Sequence, residues 1–211
     1  MPPIDDDGHP DHGPAGRIGD GPQHEAGDSG EFTRATDSVQ QIGVNLTESL
    51  PGMGGVYLRA RHSGWYLTVG SRVVGEGERV IQHTARADRS YQTWFFKAIP
   101  NTPFFYIIVQ QNPDPRDQPY VLDVYAGGTA DKTDICVAKL NESDAQKWAV
   151  ERVFGEDDWF RISSALRRPP EQPQVEIRLD VLDGNRGTGA KVDIAAANDS
   201  HAQMWQPCKP R

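Results

Sequence analysis

Two aspartates stand in matching surroundings, Asp123 in Leu122-Asp123-Val124 and Asp180 in Leu179-Asp180-Val181. Along a strand, successive side chains face opposite ways, so a polar residue between two inward apolar ones points away from them. A carboxylate held there can accept hydrogen bonds from two vicinal hydroxyls, which is the chemistry that grips a sugar ring. Asn141 and Asn198 lie 57 residues apart, at the same place further along each stretch. Each can supply an acceptor and donors. Tyr125, directly after Leu122-Asp123-Val124, offers a ring face for stacking. The structural alternative is that both Asp and Asn merely fix turns, as they often do. A third copy, Leu67-Thr68-Val69, carries Thr68 where the others carry a carboxylate, so a site there is expected to be lost or altered. No G-x-S-x-G or H-E-x-x-H motif is present, and the Asp157-Asp158 pair reads as a solvated turn. His9, His12 and His24 fit no closed set of metal ligands. No catalytic residue, metal or cofactor is expected.

The elements that must position these residues repeat with them. Gln92-Thr93-Trp94, Gln146-Lys147-Trp148 and Gln203-Met204-Trp205 place three of the five tryptophans 54 and 57 residues apart. Each Trp follows the Val of the upstream motif by 25, 24 and 24 residues. Two signatures held in one register three times over predict one supersecondary unit used three times. The units run over about 55–99, 104–153 and 159–206. Within each, short alternating runs such as Val56–Ala60, Phe105–Val109 and Tyr120–Val124 alternate with Gly- and Pro-bearing turns, which predicts about twelve short strands in an all-β fold. Trp94, Trp148 and Trp205 are expected in the core, each indole N–H needing an acceptor. Gln92, Gln146 and Gln203 are expected to tie neighbouring backbone, since buried amides must be bonded.

Residues 1–50 differ from the rest. Acidic residues far outnumber the two basic ones, Arg17 and Arg34, and most of the net charge of −8 sits there. Up to Gly30 the stretch holds seven Gly, five Pro and no aromatic residue. Such a composition cannot bury enough apolar surface to offset its ordering entropy, so a disordered acidic tail is expected, followed by one domain over 51–211. No basic stripe suggests nucleic acid, no apolar run approaches membrane-spanning length, and no secretory signal is visible. A cytoplasmic or non-classically secreted protein is expected, with Cys136 and Cys208 as free thiols.

The Leu-Asp-Val motif, a Gly-containing turn, a Val/Ile-led strand and Gln-x-Trp, in three copies over 55–211, resemble the ricin-B-type β-trefoil (R-type) lectins. The resemblance implies a pseudo-threefold β-trefoil of three Gln-x-Trp repeats: a six-strand barrel, three capping hairpins and a shallow sugar site possible in each repeat. It makes Asp123 and Asp180 primary sugar ligands, with Asn141, Asn198 and Tyr125 as further candidates, and glycans the partners. The family adds a Gln and a stacking aromatic on the third strand. Counting back from each Trp, these fall on Gln82, Cys136 and Asp193 and on Thr84, Ala138 and Ala195. No repeat holds the full set, so degenerate sites limited to the second and third repeats are expected. Two other classes fit the same residues. One is a protein-binding trefoil such as a protease inhibitor, acting through the Pro-rich loops Asn112–Pro119 and Arg167–Pro173 with Arg167-Arg168 as bait. The other is a scaffold whose acidic tail recruits partners.

Overall fold

The computed structural model describes residues 55–110, 118–156 and 158–209. The acidic tail, Asp157 and most of the Asn112–Pro119 loop lie outside the described residues. Twelve strands are present among those described: β1 (Tyr57–Ala60), β2 (Tyr66–Val69), β3 (Glu78–His83) and β4 (Trp94–Ala98); β5 (Phe104–Val109), β6 (Tyr120–Val124), β7 (Thr133–Lys139) and β8 (Trp148–Arg152); β9 (Phe160–Ser164), β10 (Ile177–Val181), β11 (Val192–Ala196) and β12 (Trp205–Cys208). They group into three segments of four, and β-branched and aromatic residues dominate the buried ones, as pleated, packed surfaces favour. No helix among the described residues is long and apolar enough to cross a membrane.

Antiparallel pairing runs β1-β12-β9-β8-β5-β4, and an isolated bridge from Trp94 to Val56, just before β1, brings the series back to its start. The other six strands form the hairpins β2-β3, β6-β7 and β10-β11. Each hairpin carries one Leu-x-Val motif on its first strand.

The three tryptophans are fully buried. Each indole donates to the backbone carbonyl of the motif leucine: Trp94 Nε1 to Leu67 (3.0 Å), Trp148 Nε1 to Leu122 (3.0 Å) and Trp205 Nε1 to Leu179 (3.2 Å). The two signatures keep nearly the same spacing because they touch. The glutamines tie backbone as expected. Their side-chain oxygens accept from the amides of Arg86, Asn141 and Asn198, and their Nε2 atoms donate to the carbonyls of Thr84, Lys139 and Ala196. The glutamines lie at or beside short 3-10 turns (Arg89–Tyr91, Asp144–Gln146 and His201–Gln203), so the last strand of each segment begins at its Trp instead of at the Gln-x dipeptide. The alternating pattern conceals these one-turn helices.

These bonds also fix which residues correspond. The motif's middle residue faces Ile81 from Thr68, Cys136 from Asp123 and Asp193 from Asp180. Gln82 is therefore not the counterpart of Cys136 and Asp193, nor Thr84 that of Ala138 and Ala195. From Thr84 to Gln92 is eight residues, against seven from Lys139 to Gln146 and from Ala196 to Gln203. One extra residue in the first segment shifts a count taken backwards from Trp94.

Candidate functional site

β6 and β10 are buried along their whole length, on both faces. Alternation does turn Asp123 and Asp180 away from the leucine and valine beside them, but onto a face that is also covered. Each retains only 7% exposure. Burial of a carboxylate is costly unless it is paired or protonated, and the two segments answer that cost differently.

In the third segment Asp193 of β11 stands directly opposite Asp180, and residues paired across antiparallel strands present their side chains on one face. Asp193 is 1% exposed. Its other neighbour, across to β7, is Asp134. Three carboxylates thus lie in a row over β10, β11 and β7. Asp134 is neutralised by Arg79 Nε (3.2 Å) and Lys191 Nζ (3.3 Å). Asp180 Oδ1 and Asp193 Oδ1 are buried without a hydrogen-bond partner. Burial, followed by the nearby Asp183 and Asp131, pushes Asp180 up to about 6, with the Val181 amide opposing. Burial, then Asp180, Asp183 and Asp134, pushes Asp193 up to about 8, with Lys132 opposing.

Both carboxylates line an open groove of about 560 Å³, with Asn198, Lys132, Asp183 and His62 among its other walls. The groove is assembled from several segments. Asp131 and Lys132 arrive from the turn before β7. Asp131 Oδ1 accepts from the Ala196 amide (2.8 Å), and Lys132 N donates to the Ile194 carbonyl (2.8 Å). Lys132 Nζ then meets Asp183 Oδ1 at 2.7 Å across the rim. Lys132 (φ 68°) and Asp183 (φ 55°) both adopt left-handed backbone, which side chains bearing a Cβ rarely take. Gly77 and Gly189 fill the place of Lys132 in the other two segments, donating in the same way to the carbonyls of Val137 and Gln82. Gln82, buried, holds the opposite wall, donating to the carbonyls of Asn185 (2.6 Å) and Gly187 (2.8 Å) and accepting from Ser63.

In the second segment Asp123 faces the thiol of Cys136, and its Oδ2 accepts from Gln146 Nε2 at 2.7 Å. Burial still raises its pKa, with Gln146 opposing and Glu76 adding. The thiol is pushed up to about 12 by burial and then by Asp123, so Cys136 is a buried, protonated packing group. Asn141 and Asn198 act as turn formers. Asn141 Oδ1 accepts from the Ser143 amide (2.9 Å) and Asn198 Oδ1 from the Ser200 amide (3.0 Å), while the left-handed angles fall one residue on, at Glu142 and Asp199. Asn198 also lines the groove with Asp180. Tyr125 is 58% exposed on the turn after β6 and takes no part in the third segment's groove. In the first segment Thr68 is sealed in, accepting from Gln92 and donating to the Tyr66 carbonyl.

Of the residues singled out from sequence, the groove brings together Asp180 and Asn198. Asp193, which the sequence places at the third-strand position, joins them, and Lys132 and His62 arrive from other segments. Asp193 had a signal of its own: Val192-Asp193-Ile194 reproduces the apolar-Asp-apolar pattern of β10 on its partner strand. Lys132 and His62 had none. Among the described residues no group of three or more His, Cys, Asp or Glu could hold a metal ion. Arg168, a candidate bait residue, is folded back onto Asp131 with its side chain largely buried.

No protein-family model matches the chain, and no curated protein matches it in sequence. Its fold is shared with solved structures at low identity. The designed threefold-symmetric protein ThreeFoil matches with a TM-score of 0.62 at 20% identity, over 74% of this chain and 99% of that one. An exo-β-1,3-galactanase from Clostridium thermocellum matches with a TM-score of 0.60 at 17% identity, over 74% of this chain but 30% of the enzyme. The Macrolepiota procera ricin B-like lectin, solved with lactose, matches with a TM-score of 0.56 at 16% identity, over 75% of this chain and 97% of the lectin. The chain folds as a β-trefoil, the architecture of the ricin B-like lectins.

Proposed function

We propose that this trefoil is a non-enzymatic carbohydrate-binding protein whose working site is the groove of the third segment. In this reading the closed series of six paired strands is the barrel of a three-repeat trefoil, and the three hairpins cap it. Asp180 accepts hydrogen bonds from ring hydroxyls, Asn198 Nδ2 donates to them, and Lys132 and Asp183 set the rim. One observation carries the assignment: Asp180 lines an open groove, and its buried Oδ1 has no donor among the described residues. A buried acceptor left open is costly and gains when a ligand donates to it. The likeness to a lectin solved with lactose supports the ligand class. Asp123 is a weaker candidate because Gln146 already occupies its carboxylate. Asn141 and Tyr125 accompany Asp123 as a secondary site.

A glycan array with the full chain, repeated with Asp180→Ala and with Asp123→Ala, tests this. Binding should fall steeply with Asp180→Ala and little with Asp123→Ala. Equal binding by Asp180→Ala and the parent would sink the site assignment. Silence of the parent across the array, at protein concentrations up to the millimolar range, would sink the carbohydrate reading.

A further inference from the structure

We propose that the third groove selects sugars bearing a free primary ammonium, which Asp180 Oδ1 and Asp193 Oδ1 hold between them; this rests on the carbohydrate reading above. Two carboxylates on facing strands, each with a buried and unpartnered oxygen, call for more than a neutral hydroxyl. A hydroxyl has one hydrogen to donate. An ammonium has three, and it carries a charge that both carboxylates attract in a site where water screens poorly.

The charges facing the pair leave that place open. On β7, Asp134 engages Arg79 and Lys191. Before β7, Lys132 engages Asp183, and Asp131 engages Arg168. On β10 itself, Arg178 is held by Glu176 and Asp199. Across the groove, His62 bonds the Asn185 carbonyl, and its proton affinity is lowered first by burial, then by Arg186 and His201. Arg186 therefore acts on the His62 wall, whereas among the described residues the cation whose field reaches Asp193 is Lys132, already paired. Among the described residues the carboxylate pair has no counter-ion of its own.

The second segment shows what the same strands look like without this feature. There a thiol faces the aspartate and Gln146 satisfies it. The third segment has the second carboxylate, and Gln203 makes its bonds to the Asn198 amide and the Ala196 carbonyl instead. Burial and mutual repulsion keep protons on this pair, with Asp193 up to about 8. A bound ammonium reverses that preference, so Asp193 gives up a proton to buffer on binding near pH 7. N-acylation of the sugar removes the charge and two of the three donors.

The test is titration calorimetry of the full chain at pH 7 in two buffers of different ionisation enthalpy. The probes are glucosamine and galactosamine, their N-acetyl forms, the parent hexoses, and methylammonium as an amine without a sugar. The amino sugars should bind at least about tenfold more tightly than either neutral form, since hydrogen bonds to charged groups are worth at least that factor. Their binding should release protons. Asp193→Asn should reduce the preference to below about twofold, and Asp180→Asn provides a second variant with the same expectation. Neutral sugars binding as well as amino sugars would overturn the ammonium inference and leave the carbohydrate reading standing. Methylammonium binding as tightly as glucosamine would overturn the sugar requirement. Failure of every sugar to bind would remove the carbohydrate reading and this inference with it.

Discussion

The second and third hairpins are the same construction given different polar cargo. Across β6, β7 and β3 the second reads Asp123, Cys136, Arg79; across β10, β11 and β7 the third reads Asp180, Asp193, Asp134. Backbone, core leucine and tryptophan bond are alike in both. In one, the aspartate is absorbed by the protein's own glutamine and faces a neutral thiol. In the other, two carboxylates are left with open oxygens beside a groove. An identical Leu-Asp-Val motif therefore does not decide whether its aspartate is bonded within the protein; the residue opposite and the reach of the glutamine decide it.

Four perturbations break or sharpen this contrast. The largest effect ignores it. Trp148→Ala and Trp205→Ala should each cost about 3–5 kcal/mol by chemical denaturation, because both empty the same buried place. A difference of more than about 2 kcal/mol between them would mean that the two hairpins are not packed alike.

Next is the pH dependence. Asp193 has a folded pKa of about 8 against an ordinary 3.8, so the folded state holds a proton that the unfolded state has lost. Its contribution is intact below about pH 4 and is lost as pH rises through about 8. Asp193→Asn should match the parent near pH 4 and be the more stable of the two near pH 8. Thermal melts across that range would show a widening gap. Cys136→Asp should import the same alkaline weakness into the second hairpin, and a flat pH response in that variant would break the analogy.

A smaller effect concerns the glutamines. Gln146→Ala strands the Asn141 amide, the Lys139 carbonyl and the Asp123 carboxylate, whereas Gln203→Ala strands only the Asn198 amide and the Ala196 carbonyl. Urea denaturation should rank Gln146→Ala as the more damaging by about 1–2 kcal/mol. The smallest effect is at the rim. Lys132→Gly relieves left-handed strain and removes an exposed ion pair, two small changes that oppose each other. Its melting temperature should barely move while its affinity for glycans changes; a shift in stability alone would remove Lys132 from the site.

The sequence displayed the framework clearly because that framework repeats. Leu122, Trp148 and Gln146 recur in register since they bond to one another or to neighbouring backbone, and such spacing survives in a linear string. The site was legible in part. Asp180 and Asn198 repeat, so they could be found; Asp193 is visible once β10 and β11 are paired. Lys132 and His62 reach the groove only through tertiary closure, and neither repeats. The extra residue before Gln92 shows in the sequence as 25 residues from Val to Trp against 24, but a count does not say where the insertion falls, and that hid the true partner of Thr68. Burial of the aspartates could not be read from alternation, which gives the direction of a side chain and says nothing of what lies over it.

Each hairpin is also finished by the segment before it. Glu76 caps the Lys139 amide, Asp131 caps the Ala196 amide, and Thr188 caps the Thr84 amide from the third segment back to the first. The dependence is cyclic, so no end of the series is privileged. It also means that a single excised segment would leave its hairpin uncapped, while a chain permuted to start at β5 and joined from β12 to β1 would keep all three caps.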